Sequence, residues 1–125
     1  MSKMKILVAD DEEGIRDLIY EALSQLGHEV RCAVNGMEAI SLIASEPADI
    51  LFLDIRMPNG DGLTALREIH RMRPSMPVVM ITGCGEHELI DQSLEMGSML
   101  CLMKPFGIRD LIAALDMAQI MRPAA

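Results

Sequence analysis

A chain of 125 residues is one domain's worth of sequence, long enough to bury about two-thirds of its extended surface around a single core. With 50% hydrophobic and 24% charged residues, it is neither a disordered chain nor a disulfide-stapled miniprotein. A formal charge of −8 argues against direct binding of nucleic acid, because such binding rests on lysine and arginine displacing counterions from phosphates.

The start, Met1 to Lys5, has no secretory apolar region ahead of a cleavage site. Lys5 to Ala9 predicts a first strand. Ile15, Leu18, Ile19, Ala22, Leu23 and Leu26 then recur at helical spacing, which predicts one continuous apolar stripe that Gly27 stops. Glu29 to Ala33 predicts a second strand, and Met37, Ile40 and Ile43 mark the helix after it. Ile50 to Leu53 and Val78 to Ile81 are apolar on both faces, as central strands of a parallel sheet covered by helices on each side. The helix between them carries Leu63, Leu66 and Ile69. Leu89, Ser93, Leu94 and Met96 mark a fourth helix, Met99 to Met103 a fifth strand, and Ile108, Leu111, Ile112 and Leu115 a fifth helix expected to run to Pro123.

Five strand-helix units make an alternating α/β domain with right-handed crossovers and helices on both faces. No linker, repeat or low-complexity segment divides it, so residues 1–125 read as a single domain. No apolar run approaches the roughly 20 residues that span a bilayer. Cys32, Cys84 and Cys101 are odd in number and lack C-x-x-C spacing, which leaves neither a disulfide framework nor a zinc site and makes a reducing cytoplasm the expected location. Twelve methionines stand beside only Tyr20, Phe52 and Phe106 as aromatics, so methionine is expected to fill the core where aromatics otherwise would.

The chemistry should sit at the carboxyl ends of the strands, where strand order reverses. After strand one come Asp10, Asp11, Glu12 and Glu13, in place of the glycine-rich turn that admits a pyrophosphate. Strand three ends in Asp54, strand four in Thr82 and strand five in Lys104, whereas strand two delivers nothing. That gap suits the order 2-1-3-4-5, with strand two at an edge and strands one and three flanking the crevice. Each residue alone has a plainer explanation, such as a helix cap or a solvated turn. Capping, however, does not require three apolar strands to end in polar groups at one rim.

Carboxylates crowded into one crevice repel each other unless a cation neutralises them, and an all-oxygen site with room for water suits magnesium. Phosphoryl transfer needs an in-line nucleophile and positive charge more than proton shuttling. Asp54 is the expected nucleophile, ionised at neutral pH without a base. Magnesium would be held through Asp11 and Asp54, with Asp10 acting largely through water, and Lys104 would supply the second positive contact.

Together, Asp10-Asp11, Asp54, Met57-Pro58, Asp61-Gly62, Thr82-Gly83 and Lys104-Pro105-Phe106 resemble the receiver domain of two-component response regulators, over residues 4 to about 121. The resemblance implies a flavodoxin-like (βα)5 three-layer sandwich and a phosphorylation-dependent switch. It makes Asp54 the phosphoacceptor, charged from a phosphohistidine on a sensor histidine kinase or phosphotransfer protein. Asp11, Asp54 and the backbone carbonyl of Arg56 would ligate Mg2+, with Asp10 orienting its waters. Thr82 would be the hydroxyl that moves to the phosphoryl oxygens, and the bond before Pro105 would be cis. Gly83 would leave the entrance open, while Arg56 and Cys84 would flank the path of water and set the phosphoryl lifetime. The signal would emerge on the face of helix four, strand five and helix five, read by a downstream protein, an attached output domain or a second copy of the chain.

The chain departs from the pattern at Cys101, where many receivers carry a switch aromatic. With Cys101 there, repacking of the flexible Met96, Met99 and Met103, close by in sequence, is expected to fill the space that the threonine vacates. A redox-sensitive thiol at Cys101 is the weaker reading, since a mid-strand cysteine is usually a small packing residue. His28, His70 and His87 lack metal-ligand spacing, and Arg56 and Pro58 stand where a calcium loop needs oxygen donors. A phosphatase-type enzyme using an aspartyl phosphate usually wants a second aspartate two residues after the nucleophile, and that position is Arg56. A receiver-like module that takes no phosphate remains as a third reading, disfavoured because no pocket residue is missing.

Overall fold

The computed structural model describes residues 3–57, 62–83 and 85–121. Strand and helix alternate throughout: β1 (Lys5–Ala9), α1 (Glu13–Gln25), β2 (Glu29–Ala33), α2 (Gly36–Ser45), β3 (Ile50–Asp54), α3 (Gly62–Met72), β4 (Val78–Thr82), α4 (His87–Glu95), β5 (Leu100–Met103) and α5 (Ile108–Met121). The sheet order is β2-β1-β3-β4-β5 and every neighbouring pair is parallel, as the silent end of strand two led us to expect.

The sheet divides the interior into two apolar layers, because successive side chains of a strand point to opposite faces. Leu7, Leu51, Leu53, Val78 and Met80 pack toward α2 and α3, with Leu89, Ile90 and Met96 of the α4 region at the margin. Ile6, Val8, Ile50, Phe52, Val79 and Ile81 pack toward α1 and α5. All ten residues of β3 and β4 are buried, so these are the central strands. Burying one such side chain stabilises the fold by about 1.5–3 kcal/mol, and Phe52 is the largest of them. Met4 and Met80 are fully buried, which fits methionine filling the core, whereas Met37 is 68% exposed.

The helical stripes are narrower than their sequence periodicity suggests. In α1 only Ile19 and Leu23 are buried, while Leu18 and Leu26 stand in solvent. In α2 the buried residues are Gly36, Ala39 and Ile43, and α4 buries only Ser93. A helix lying on a flat sheet buries roughly one residue per turn against it, and small residues such as Ala39, Ala65 and Ala114 let the backbone come close. Gly27, at φ +93°, ends α1 as its position implied. Strand five begins at Leu100, one residue later than expected, and Pro123 lies outside the described residues.

Register sets the rim. Ala9 pairs with both Ala33 and Leu53, Asp54 with Ile81, and Thr82 with Met103. Asp10, Asp54, Thr82 and Lys104 therefore leave the sheet at one level. Two backbone bonds lock this end: the Ile55 amide donates to the Ile81 carbonyl at 2.9 Å and the Lys104 amide to the Thr82 carbonyl at 2.8 Å.

Candidate functional site

Asp10 is fully buried and Asp54 is 4% exposed, which is costly for carboxylates and demands partners. Asp10 Oδ1 accepts the Glu12 amide at 2.8 Å, and the Arg16 guanidinium donates to the Asp10 carbonyl at 2.8 Å. Asp54 Oδ1 accepts the Arg56 amide at 3.2 Å. Lys104 reaches in from the opposite wall, its Nζ 2.6 Å from Glu12, 3.4 Å from Asp10 and 3.7 Å from Asp54. The Lys104–Pro105 peptide bond is cis.

One lysine does not neutralise three carboxylates. Burial first, and the charge of Asp10 next, push Asp54 up to about 7, against the pull of Lys104 and the Arg56 amide. Burial likewise raises Asp10, opposed by the Glu12 amide and by Lys104. Burial would pull Lys104 down, but its bond to Glu12 and the charges of Asp10 and Asp54 win and carry it to about 12. Burial of the strand end thus works against the ionised Asp54 that the sequence leads us to expect, and a cation beside it would favour that form.

The donor set fits a hard cation. Among the described residues, carboxylate oxygens of Asp10, Glu12 and Asp54 lie within 4.8 Å of one another. Asp10 Oδ2 is buried and makes no hydrogen bond among the described residues, its ion-pair contact with Lys104 being 3.4 Å long. A buried oxygen so weakly satisfied, beside two further carboxylates, suits an oxygen-seeking divalent ion. The converging set differs from the expected one: Asp11 is exposed and acts on Asp54 through its charge, and Glu12 takes the near position. Glu12 is the N-cap of α1 yet makes no side-chain cap bond, so the plainer capping explanation fails for it. Its carboxylate holds Lys104 instead.

Gly62 opens α3 against the end of β3. Its amide donates to the Ile55 carbonyl at 2.7 Å, and a Cβ there would collide with the Asp54 carbonyl and the Ile55 backbone. Only glycine permits this approach.

On the strand next to Asp54, the fully buried Thr82 has two acceptors in reach of its single hydroxyl proton, Glu86 Oε2 at 3.1 Å and the Gly83 carbonyl at 3.2 Å. The other oxygen of Glu86 lies 3.3 Å from Arg56 Nε. Glu86 was missed in the sequence, as was the role of Glu12. The only available signal was position: each is an acid at the first turn after a strand that ends in the site. Cys84, Pro58 and Asp61 lie outside the described residues.

Cys101 packs toward α4, its sulfur 3.5 Å from the Ser93 hydroxyl, which donates to the Ile90 carbonyl at 2.8 Å. Burial pushes its thiol up, against the pull of the Ser93 hydroxyl, which disfavours the reactive thiolate. The three methionines divide between the two sides of the sheet: Met96 lies on the side of Cys101, Met99 packs on the opposite face and Met103 is 49% exposed. Alternation along the strand separates residues that are neighbours in sequence.

Comparison with known proteins agrees with this geometry. The chain is 32% identical over 111 residues to sporulation initiation phosphotransferase F of Bacillus subtilis, covering 89% of this chain and 90% of that protein. It is 38% identical over 116 residues to the response regulator protein PilR of Pseudomonas aeruginosa, covering 90% of this chain but only 26% of the relative. Among solved structures, the receiver domain of NtrX from Brucella abortus superposes with a TM-score of 0.86 at 39% identity, covering 90% of this chain and 96% of that one. A CheY-like receiver domain protein from Methanospirillum hungatei gives 0.91 at 30% identity, covering 96% and 97%. The sequence profile of the response regulator receiver domain matches residues 6–116, and the chain belongs to that family.

Proposed function

We propose that the chain is a phosphorylation-dependent signalling switch in which Asp54 accepts a phosphoryl group. The observation that carries this reading is the convergence on Asp54 of one lysine, Lys104, and a set of carboxylates too numerous for that lysine to neutralise. A carboxylate oxygen of Asp54 attacks phosphorus in line, the bond from phosphorus to its donor breaks, and the donor leaves with the electron pair and takes up a proton. Lys104 holds the developing charge on one equatorial oxygen, and the Thr82 hydroxyl is the donor on the far side.

Mg2+ would be held by Asp54 with Asp10, Asp11 and the Arg56 carbonyl, as in the family pattern, with Glu12 close enough to join them. Bound there, it would keep Asp54 ionised and neutralise the entering phosphoryl oxygens. Arg56 and Cys84 would govern how fast water reaches the aspartyl phosphate. The chain thus assists its own phosphorylation and dephosphorylation and is not a turnover enzyme.

The donor would be a phosphohistidine of a sensor kinase or phosphotransfer protein. The reading surface would be α4, β5 and α5, where Leu94, Met103 and Ile108 are exposed apolar side chains, with Thr82 and Cys101 transmitting the change inward. Its reader would be a downstream protein, an attached output domain or a second copy of the chain. Residues 1–125 would form one receiver domain working in the cytoplasm; none of the described helices is long and apolar enough to cross a membrane. Incubation with acetyl phosphate and magnesium, followed by intact mass, should show one phosphoryl group per chain. An unchanged mass would refute the reading, and continuous phosphate release without accumulation would favour a phosphatase.

A further inference from the structure

Glu86 is the N-cap of α4, but its carboxylate accepts none of the helix amides, which is the ordinary task of an acid in that position. It is instead spent on the site. One oxygen takes the Thr82 hydroxyl at 3.1 Å and the other lies 3.3 Å from the Arg56 guanidinium, with only 12% of the side chain exposed. A neutral hydroxyl donor from the strand next to Asp54 and a cation two residues after it are also what a phosphoryl group on Asp54 would recruit.

We infer that Glu86 is a positioning residue for the phosphoryl site. Before phosphorylation its carboxylate stands in for the phosphoryl group, holding the Thr82 hydroxyl and Arg56; a phosphoryl group on Asp54 then competes for both. The inference rests on Asp54 being the phosphoacceptor. By linkage, a contact made only in the unmodified state opposes modification, and removing it shifts the balance toward the modified state.

The substitutions separate the two halves. Glu86→Gln keeps an acceptor for Thr82 but loses the charge that holds the largely exposed Arg56, which is a weak pair. Glu86→Ala loses both, including a hydrogen bond to a charged acceptor. The test is titration of the magnesium-loaded protein with fluoroberyllate, a phosphoryl mimic. Glu86→Gln should bind it roughly threefold more tightly than the native chain and Glu86→Ala roughly tenfold. In an Arg56→Ala background, Glu86→Gln should have no effect. In the free Glu86→Ala protein, the Thr82 methyl resonance should move toward its position in the native fluoroberyllate complex, a change that general loosening of the loop would not produce. Native affinity in Glu86→Ala, or an unmoved Thr82 resonance, overturns the latch alone. Absence of fluoroberyllate binding by the native chain, or undiminished binding by Asp54→Asn, overturns the phosphoacceptor reading and the latch with it.

Discussion

The two ends of the sheet handle charge in opposite ways. At the amino-terminal end, Lys5 pairs with Glu46 at 2.8 Å, the Lys5 amide donates to Asp49 at 2.7 Å and the Met4 amide to His28 Nδ1 at 3.0 Å. Its carboxylates meet donors in or near solvent, and the bond to Lys5 holds Glu46 below its ordinary value. At the carboxyl-terminal end, Asp10 and Asp54 are buried with too little positive charge, and both are raised. One end is settled when it folds. The other holds more buried carboxylates than its one lysine balances, the imbalance on which the proposed metal and phosphoryl chemistry rests.

The ends should therefore titrate in opposite senses. Glu46, lowered from 4.5, contributes stability that is present above that value and lost as pH falls through its folded pKa. Asp54, raised from 3.8 to about 7, contributes stability that is fully present below about 4 and lost as pH rises through 7.

The largest effect is expected from Asp54→Asn. It should abolish phosphorylation by acetyl phosphate, read by intact mass, and undiminished modification would place the acceptor elsewhere. In chelator it should also raise the melting temperature at pH 8, by about 2 kcal/mol of stability, and less at pH 5, where the native aspartate is already protonated. A pH-independent difference between Asp54→Asn and the native chain would remove the charge imbalance from the account.

Lys104→Ala comes next. It strands two buried carboxylates, and the expected loss is about 2 kcal/mol at pH 8, shrinking toward pH 5 in chemical denaturation. Some phosphorylation should persist, without the amide-exchange changes in α4 and β5 that accompany it in the native chain.

A smaller change should follow Arg56→Ala. Arg56 is 71% exposed, so stability should hardly move, whereas the decay of the aspartyl phosphate should change severalfold. An identical decay rate would take Arg56 out of the mechanism. The smallest effect belongs to Glu46→Gln at the settled end, where phosphorylation and magnesium dependence should be unchanged. Altered phosphorylation in that variant would break the division between the two ends.

Apolar runs such as Ile50 to Leu53 and Val78 to Ile81 were enough to name the central strands, since few environments other than a doubly covered sheet accept residues apolar on both faces. The polar residue ending each run was legible for the same reason: Asp54, Thr82 and Lys104 interrupt a pattern that has no structural need of them. What a linear pattern could not display is how far each carboxylate is desolvated and which neighbour it meets. Asp54 sits at about 7 because the register buries it beside Asp10, and Asp11, one residue on, turns into solvent while Glu12 turns back to Lys104. Glu86 joins Thr82 to Arg56 only because β3 and β4 are adjacent in the sheet, although 30 positions separate Arg56 from Glu86 in sequence. Hydrophobic period and polar interruption are local properties, so the alternation of elements, and the rim residues whose pattern suits this sheet order, could be read along the chain. Burial, pairing and the two glutamates diverted from their helices could not, because they depend on distances across strands that the chain brings together only on folding.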